Sequence, residues 1–253
     1  MKKFMVFGMV LIAAVIASGE SFADVLASDG FDYADGSLVG NGGWANHSGT
    51  AGDLQVAGGQ VLIQHGIPSE DANLAFSPVA GMVFFGIDFS VSSSGDITGT
   101  DHEYFAHFKD DGFNFSARLD VVAATAGGNY SLGIASDEST ADTIWGSDLT
   151  FGTTYRAVVG FDQAINQAQL WVDATLESDT SILGEDRADP GDTVTQFGLR
   201  QSDSDLNELV TVDNLMVGTT FADVATFSAV PEPGSIAFIT LGMLGLVARR
   251  RRS

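Results

Sequence analysis

In the run "AQLWVDA", Trp171 lies between Gln169 and Asp173, an indole with an amide and a carboxylate two positions away on either side. On an extended strand all three share one face. Such a group can hold a sugar: the flat ring covers an apolar face, and the flanking polar groups take hydroxyls. Arg156 would face them from the neighbouring strand, and Asn114 and Arg118 in "NFSAR" could lie on the same sheet face. Trp145 in "TIWGSD" suits either stacking on a sugar or covering the edge of a core. For Trp171 the competing reading is packing over Val158 and Gly160. Trp44, which follows two glycines, reads as a structural plug.

Metal chemistry has fewer candidates. Calcium takes oxygen ligands from loops, and Asp29, Asp32 and Asp35 in "DGFDYADG", Asp186, Asp189 and Asp192 in "EDRADPGD", and Asp213 supply them. Of these, Asp29, Asp32 and Asp213 are the set expected to hold a structural Ca2+. The same aspartates equally suit turn formation and solvation. None matches an EF-hand loop. The segment "HEYFAH" spaces His102 and His107 one residue too far apart for a His-Glu-x-x-His zinc site, and on a strand they point to opposite faces. His47 and His65 are isolated, and no Gly-x-Ser-x-Gly elbow is present.

These side chains need strands to position them, and the chain between residues 25 and 227 reads as strands. "VFFGIDFSV" puts Val83, Phe85, Ile87, Phe89 and Val91 on one face, and "NYSLGIA" does the same for Tyr130, Leu132 and Ile134. "FNFSARLDV" places Phe113, Phe115, Ala117, Leu119 and Val121 on one face, opposite Asn114, Ser116, Arg118 and Asp120. Period two, broken by turn residues, predicts half-buried antiparallel strands. The run from Tyr155 to Ala174 forms a hairpin around a turn at Gln163–Asn166, with Arg156 opposite Asp173 and Val158 opposite Trp171. Outside the termini no window predicts an amphipathic helix. The fold class is an all-β sandwich of two antiparallel sheets.

Composition narrows the function. The chain has 253 residues and no cysteine, which excludes disulfides, thiolate metal sites and a cysteine nucleophile. Residues 24 to 230 hold 31 Asp and Glu against five cations, Lys109, Arg118, Arg156, Arg187 and Arg200, a formal charge of −26. Such a surface repels nucleic acid and anionic lipid; it keeps the protein soluble or gathers divalent cations.

The two ends are addresses. Lys2 and Lys3, the apolar run Phe4 to Ala17 and Ser21-Phe22-Ala23 before Asp24 have the layout of a secretory signal peptide, so residues 1–23 are expected to be removed by signal peptidase. Residues 24–227 form the sandwich, and residues 228–253 make a tail of another kind. There Val230, Pro231, Glu232 and Pro233 precede an apolar run over 236–248 and the cluster Arg249, Arg250, Arg251 and Arg252. As a helix the apolar run would be about 20 Å long, short of the roughly 30 Å of a bilayer core. It suits a temporary anchor, with the arginines as a cytoplasmic stop-transfer signal.

This tail resembles the PEP-CTERM sorting signal. The resemblance implies an exosortase that recognises and cuts near the motif, leaving the protein at the cell surface or in an extracellular, biofilm-type matrix. The stretches "ASDGFDYADGSLVGNGGWANHSGT", the Tyr155 hairpin and "VTVDNLMVGTTFADV" look like a laminin-G-like, concanavalin A-like jelly roll. That likeness implies a last strand returning beside the first, and contact with a glycan or exopolysaccharide, in some relatives with calcium. Glycoside hydrolases of this fold class carry Glu-x-Asp-x-x-Glu, whose two carboxylates act about 5 Å apart. In "ESDTSI" Glu177 and Asp179 fit, but Ile182 replaces the second glutamate. The expectation is a non-catalytic, exported sandwich that contacts carbohydrate; the alternatives are a structural matrix or adhesion role without glycan binding and, behind it, a carbohydrate-active hydrolase.

Overall fold

A computed structural model describes residues 25–95, 97, 103–202 and 208–227. The signal peptide, the apolar run 236–248, the arginine cluster and His102 lie outside the described residues. The strands are β1 (Val25–Asp29), β2 (Gly36–Ser37), β3 (Ala45–Gly49), β4 (Gln55–Ala57), β5 (Gln60–Gln64), β6 (Glu70–Ala75), β7 (Met82–Ser93) and β8 (Glu103–Lys109). They continue as β9 (Phe115–Ala123), β10 (Tyr130–Ala135), β11 (Thr143–Ile144), β12 (Tyr155–Asp162), β13 (Gln167–Val172), β14 (Ser181–Leu183), β15 (Gln196–Arg200) and β16 (Glu208–Gly218), before a one-turn helix α1 (Phe221–Val224). No helix among the described residues is long and apolar enough to cross a membrane.

Two antiparallel sheets form the jelly-roll sandwich. The nine-stranded sheet runs β14-β13-β12-β7-β16-β5-β4-β2, with β1 also paired to β16; the seven-stranded sheet runs β11-β10-β9-β8-β15-β6-β3. The first strand lies against the last, Val25 to Gly218 and Asp29 to Leu215, as the resemblance implied. The alternating residues of β7, Val83 through Val91, all face the main core, together with Tyr130, Leu132 and Ile134 of β10. The hairpin register is as read from sequence: Val158 pairs with Trp171, and Asp173 N–H donates to the Arg156 carbonyl.

One expected face is corrected. Ala117, Leu119 and Val121 are in the core, but Phe113 and Phe115 are not. The β8–β9 register shifts twice, between Tyr104 and Ala106 and between Ala106 and Phe108, and Ala117 has φ 53°. The bulge reverses the alternation, so both phenylalanines emerge on the outer face of the seven-stranded sheet.

The outer face of the nine-stranded sheet carries a second, smaller core. Phe84, Val158, Trp171 and Met216 on the strands are covered by Phe221, Val224 and Ala225 of α1 and its end. The helix is anchored by Arg156, whose Nε and Nη2 both donate to the Val224 carbonyl (3.0 and 2.7 Å) while Nη1 pairs with Asp88 at 2.7 Å. Gly86 leaves room for that carbonyl; any β-carbon there would collide with it.

Candidate functional site

The six residues expected to bind carbohydrate do not come together. Trp171, Gln169, Asp173 and Arg156 are on the nine-stranded sheet, whereas Arg118 is on the seven-stranded one and Trp145 just follows β11. Trp171 is 1% exposed, packed between Phe84 and Phe221, with Nε1 donating to the Glu177 carbonyl. It cannot serve as a platform for a ligand, because α1 already occupies its outer face. Arg156 is spent on α1. Asp173 accepts from the Arg156 N–H, and Gln169 donates to Ser181 Oγ. Trp145 is half-buried against the main core, the second of its two readings. Trp44 is the expected plug: it is buried, and its Nε1 donates to Asp29.

The calcium donors do not converge either. Among the described residues no three His, Asp or Glu side chains form a group that could hold a metal ion. Asp29 directs its oxygens at protein donors, Oδ1 to Phe31 N–H and Oδ2 to both Tyr33 and Trp44. Asp32 is exposed, and Asp213 accepts from its neighbour's N–H. These residues do not fit a calcium cage. Asp179 lies in the β13–β14 loop, where Oδ2 accepts from the Thr175 and Leu176 N–H groups; these bonds hold its carboxyl below the usual range. It staples a turn.

What the structure does assemble is an aromatic and cationic layer on the outer face of the seven-stranded sheet. It starts at the β8–β9 loop. Asp110 accepts from the Gly112 and Asn114 N–H groups with Oδ1 and from Asn114 Nδ2 with Oδ2, which fixes the loop as an Asx-type turn. Phe113 is held out at 73% exposure, its ring 4.8 Å from that of His47. His47 packs in turn on Phe115, and Phe115 on His107. His107 fits because it stands opposite Gly198 on β15, where a β-carbon would come within 2.6 Å of the imidazole. Arg118 lies over the rings of Tyr104 and Phe115, at 4.9 and 5.5 Å, and Arg200 covers Tyr104 at 4.3 Å while pairing with Glu103.

Burial shapes the charges in this layer. His107 is 1% exposed with no partner on either ring nitrogen, and burial, aided by Arg118 and Arg200, holds its pKa well below the usual 6.5. Asp120, wholly buried and with both oxygens unpartnered, is pushed well above the carboxylate range by desolvation, against the pull of Arg118. His107 is therefore uncharged at pH 7, and Asp120 keeps its proton to higher pH than an ordinary carboxylate. Asp120 has no access to solvent, so it cannot act on a substrate.

Beside this layer opens a polar cleft of about 220 Å³. Phe113, Asn114, Phe115 and Arg118 form one wall, and Asp137, Asn166 and Asp192 close it from three other loops. Asn166 Nδ2 donates to Asp137 Oδ2, while Arg187 holds Asp137 Oδ1, so these two loops are tied together. An exposed ring set beside amide, carboxylate and guanidinium groups is the chemistry sought around Trp171, found on the other sheet. Arg118 and Asn114 were named from sequence. Phe113 was missed, since alternation assigned it to the core; the Asp-Asp-Gly turn before it was the available signal.

Residues 229–252 match the PEP-CTERM protein-sorting motif. No curated protein sequence matches the chain. Among solved structures, the binding domain of botulinum neurotoxin serotype D is similar with a TM-score of 0.52 and 10% identity, over 79% of this chain and 48% of that one. A lectin from Bauhinia forficata in complex with GalNAc follows at 0.49 and 9% identity, over 79% of this chain and 100% of the lectin. The Lotus tetragonolobus seed lectin gives 0.47 and 12% identity, over 73% and 96%. The likeness is one of fold.

Proposed function

We propose that this protein is a non-catalytic surface or matrix component that binds carbohydrate in the Phe113–Arg118 cleft. The sorting motif implies an exported protein processed by an exosortase. In our reading the tail anchors the chain transiently in the inner membrane and is cut, which leaves the sandwich at the cell surface or in the extracellular matrix. One observation carries the reading: Phe113, an aromatic ring 73% exposed, is held by a rigid turn at the mouth of a polar cleft. Leaving so large an apolar ring in water gains the fold nothing, whereas a sugar face stacked on it would bury it.

A glycan array probed with the full-length chain in mild detergent, beside its Phe113→Ala variant, tests this. Saturable binding by the parent that the variant loses supports the cleft. Binding that survives in Phe113→Ala moves the site elsewhere, and no binding at all leaves a structural role in the matrix.

A further inference from the structure

We propose that the ligand of this cleft is an acidic glycan, with a uronate carboxylate set against the Arg118 guanidinium. The proposal rests on the carbohydrate reading above and adds the charge of the sugar. It starts from how the domain spends its five cations. Arg156 is paired with Asp88, Arg200 with Glu103, and Arg187 with Asp137, Asp142 and Glu185. Lys109 donates to the Asp110 carbonyl and to Gln196 Oε1. Among the described residues Arg118 has neither an ion pair nor a hydrogen bond, and its Nε is buried without a partner. In a domain with 31 acidic side chains, an arginine left without a carboxylate is a conspicuous vacancy.

The neighbours explain why nothing inside the protein fills it. The faces of Tyr104 and Phe115 fix the plane of the guanidinium, but ring faces satisfy none of its N–H groups. Asp120, two residues on, is wholly buried, and neither of its oxygens reaches a donor. Both oxygens of Asp137 are taken, by Arg187 and Asn166. Asp192 is exposed on the far rim of the cleft, where water screens it. Arginine presents a rigid planar fork that matches a carboxylate in two parallel bonds. A pyranose stacked on Phe113 and carrying an acid group would supply that partner from within the same cleft. Asp192 at the opposite rim would disfavour the reversed orientation.

The test is calorimetric titration of the full-length chain in detergent with an oligogalacturonate, its carboxyl-reduced neutral counterpart and a sulfated neutral oligosaccharide. The uronate is expected to bind at least about tenfold more tightly than the reduced form, as loss of a charge-assisted bond implies. Arg118→Gln should erase that preference, and Arg118→Lys should restore part of it. Thermal melts establish that each variant is folded, and the ligand comparison on the parent decides the question without any variant. Equal binding of the uronate and its reduced form, still weakened about tenfold by Phe113→Ala, overturns the acidic ligand and leaves the carbohydrate reading standing. Equal binding of the sulfated oligosaccharide overturns the carboxylate assignment. Failure of all three to bind overturns both readings.

Discussion

Gly86 lies directly beneath the carbonyl oxygen of Val224, which also receives two hydrogen bonds from Arg156. The contact between β7 and α1 is thus backbone against backbone, and only a residue without a side chain permits it. Gly86→Ala should lift α1 from the sheet and cost about 1–3 kcal/mol, the usual range for overpacking. Trp171 reports the event, since its cover is Phe221. Its fluorescence should shift to the red in the variant; an unshifted spectrum would mean that α1 adjusts without uncovering the indole.

Trp171→Ala addresses the same small core from the strand side. Removing a buried indole costs about 3–5 kcal/mol, and urea unfolding should show it. Glycan binding by the folded fraction should not change, because Trp171 is not among the residues that line the cleft. A variant of full stability that has lost binding would return Trp171 to the role its flanking Gln169 and Asp173 suggest.

Phe113→Ala should do the reverse. With the ring 73% exposed, its removal is expected to change stability by no more than about 0.5 kcal/mol. Ligand affinity should fall by about tenfold, in line with the loss of one stacking aromatic. Equal melting curves with unequal binding isotherms are the expected pair of results.

His107 makes the fold sensitive to acid. Its folded pKa is well below the ordinary 6.5, so below about pH 6.5 the unfolded chain takes up a proton that the folded chain refuses. Stability is lost as pH falls through that window, by up to about 1.4 kcal/mol per unit for one site. Asp120 acts in the opposite sense: its raised pKa favours the fold at low pH and the gain is lost as pH rises. His107→Phe isolates the histidine. The difference in melting temperature between variant and parent should grow in the variant's favour from pH 7 to pH 5. A constant difference would show that the imidazole accepts its proton in the folded state.

Strand identity and local pairing were legible because they depend on near neighbours. The Tyr155–Ala174 hairpin has one turn and one alternation, and these suffice to pair Val158 with Trp171. What covers Trp171 was not legible, since it is a one-turn helix 50 residues further on with no periodicity of its own. The site was lost for a different reason. A strict two-residue rhythm through Phe113, Phe115 and Ala117 has no means of anticipating the positive φ at Ala117, and that one residue decides which sheet face receives two phenylalanines. Arg118 could be nominated from its type, but its lack of a partner is a property of distances to Asp120 and Asp137 that only the folded chain defines.

The pairing of β16 has a consequence for the order of events in export. This strand has β7 on one side and both β5 and β1 on the other, so it occupies the middle of the nine-stranded sheet. A chain that crosses a membrane amino end first delivers β1, β5 and β7 long before their common neighbour. Each must wait with an open edge until Glu208–Gly218 emerges, and only ten residues separate that strand from the sorting motif. Closure of the sandwich and emergence of the sorting motif are therefore nearly simultaneous, so the body finishes folding only as its address appears.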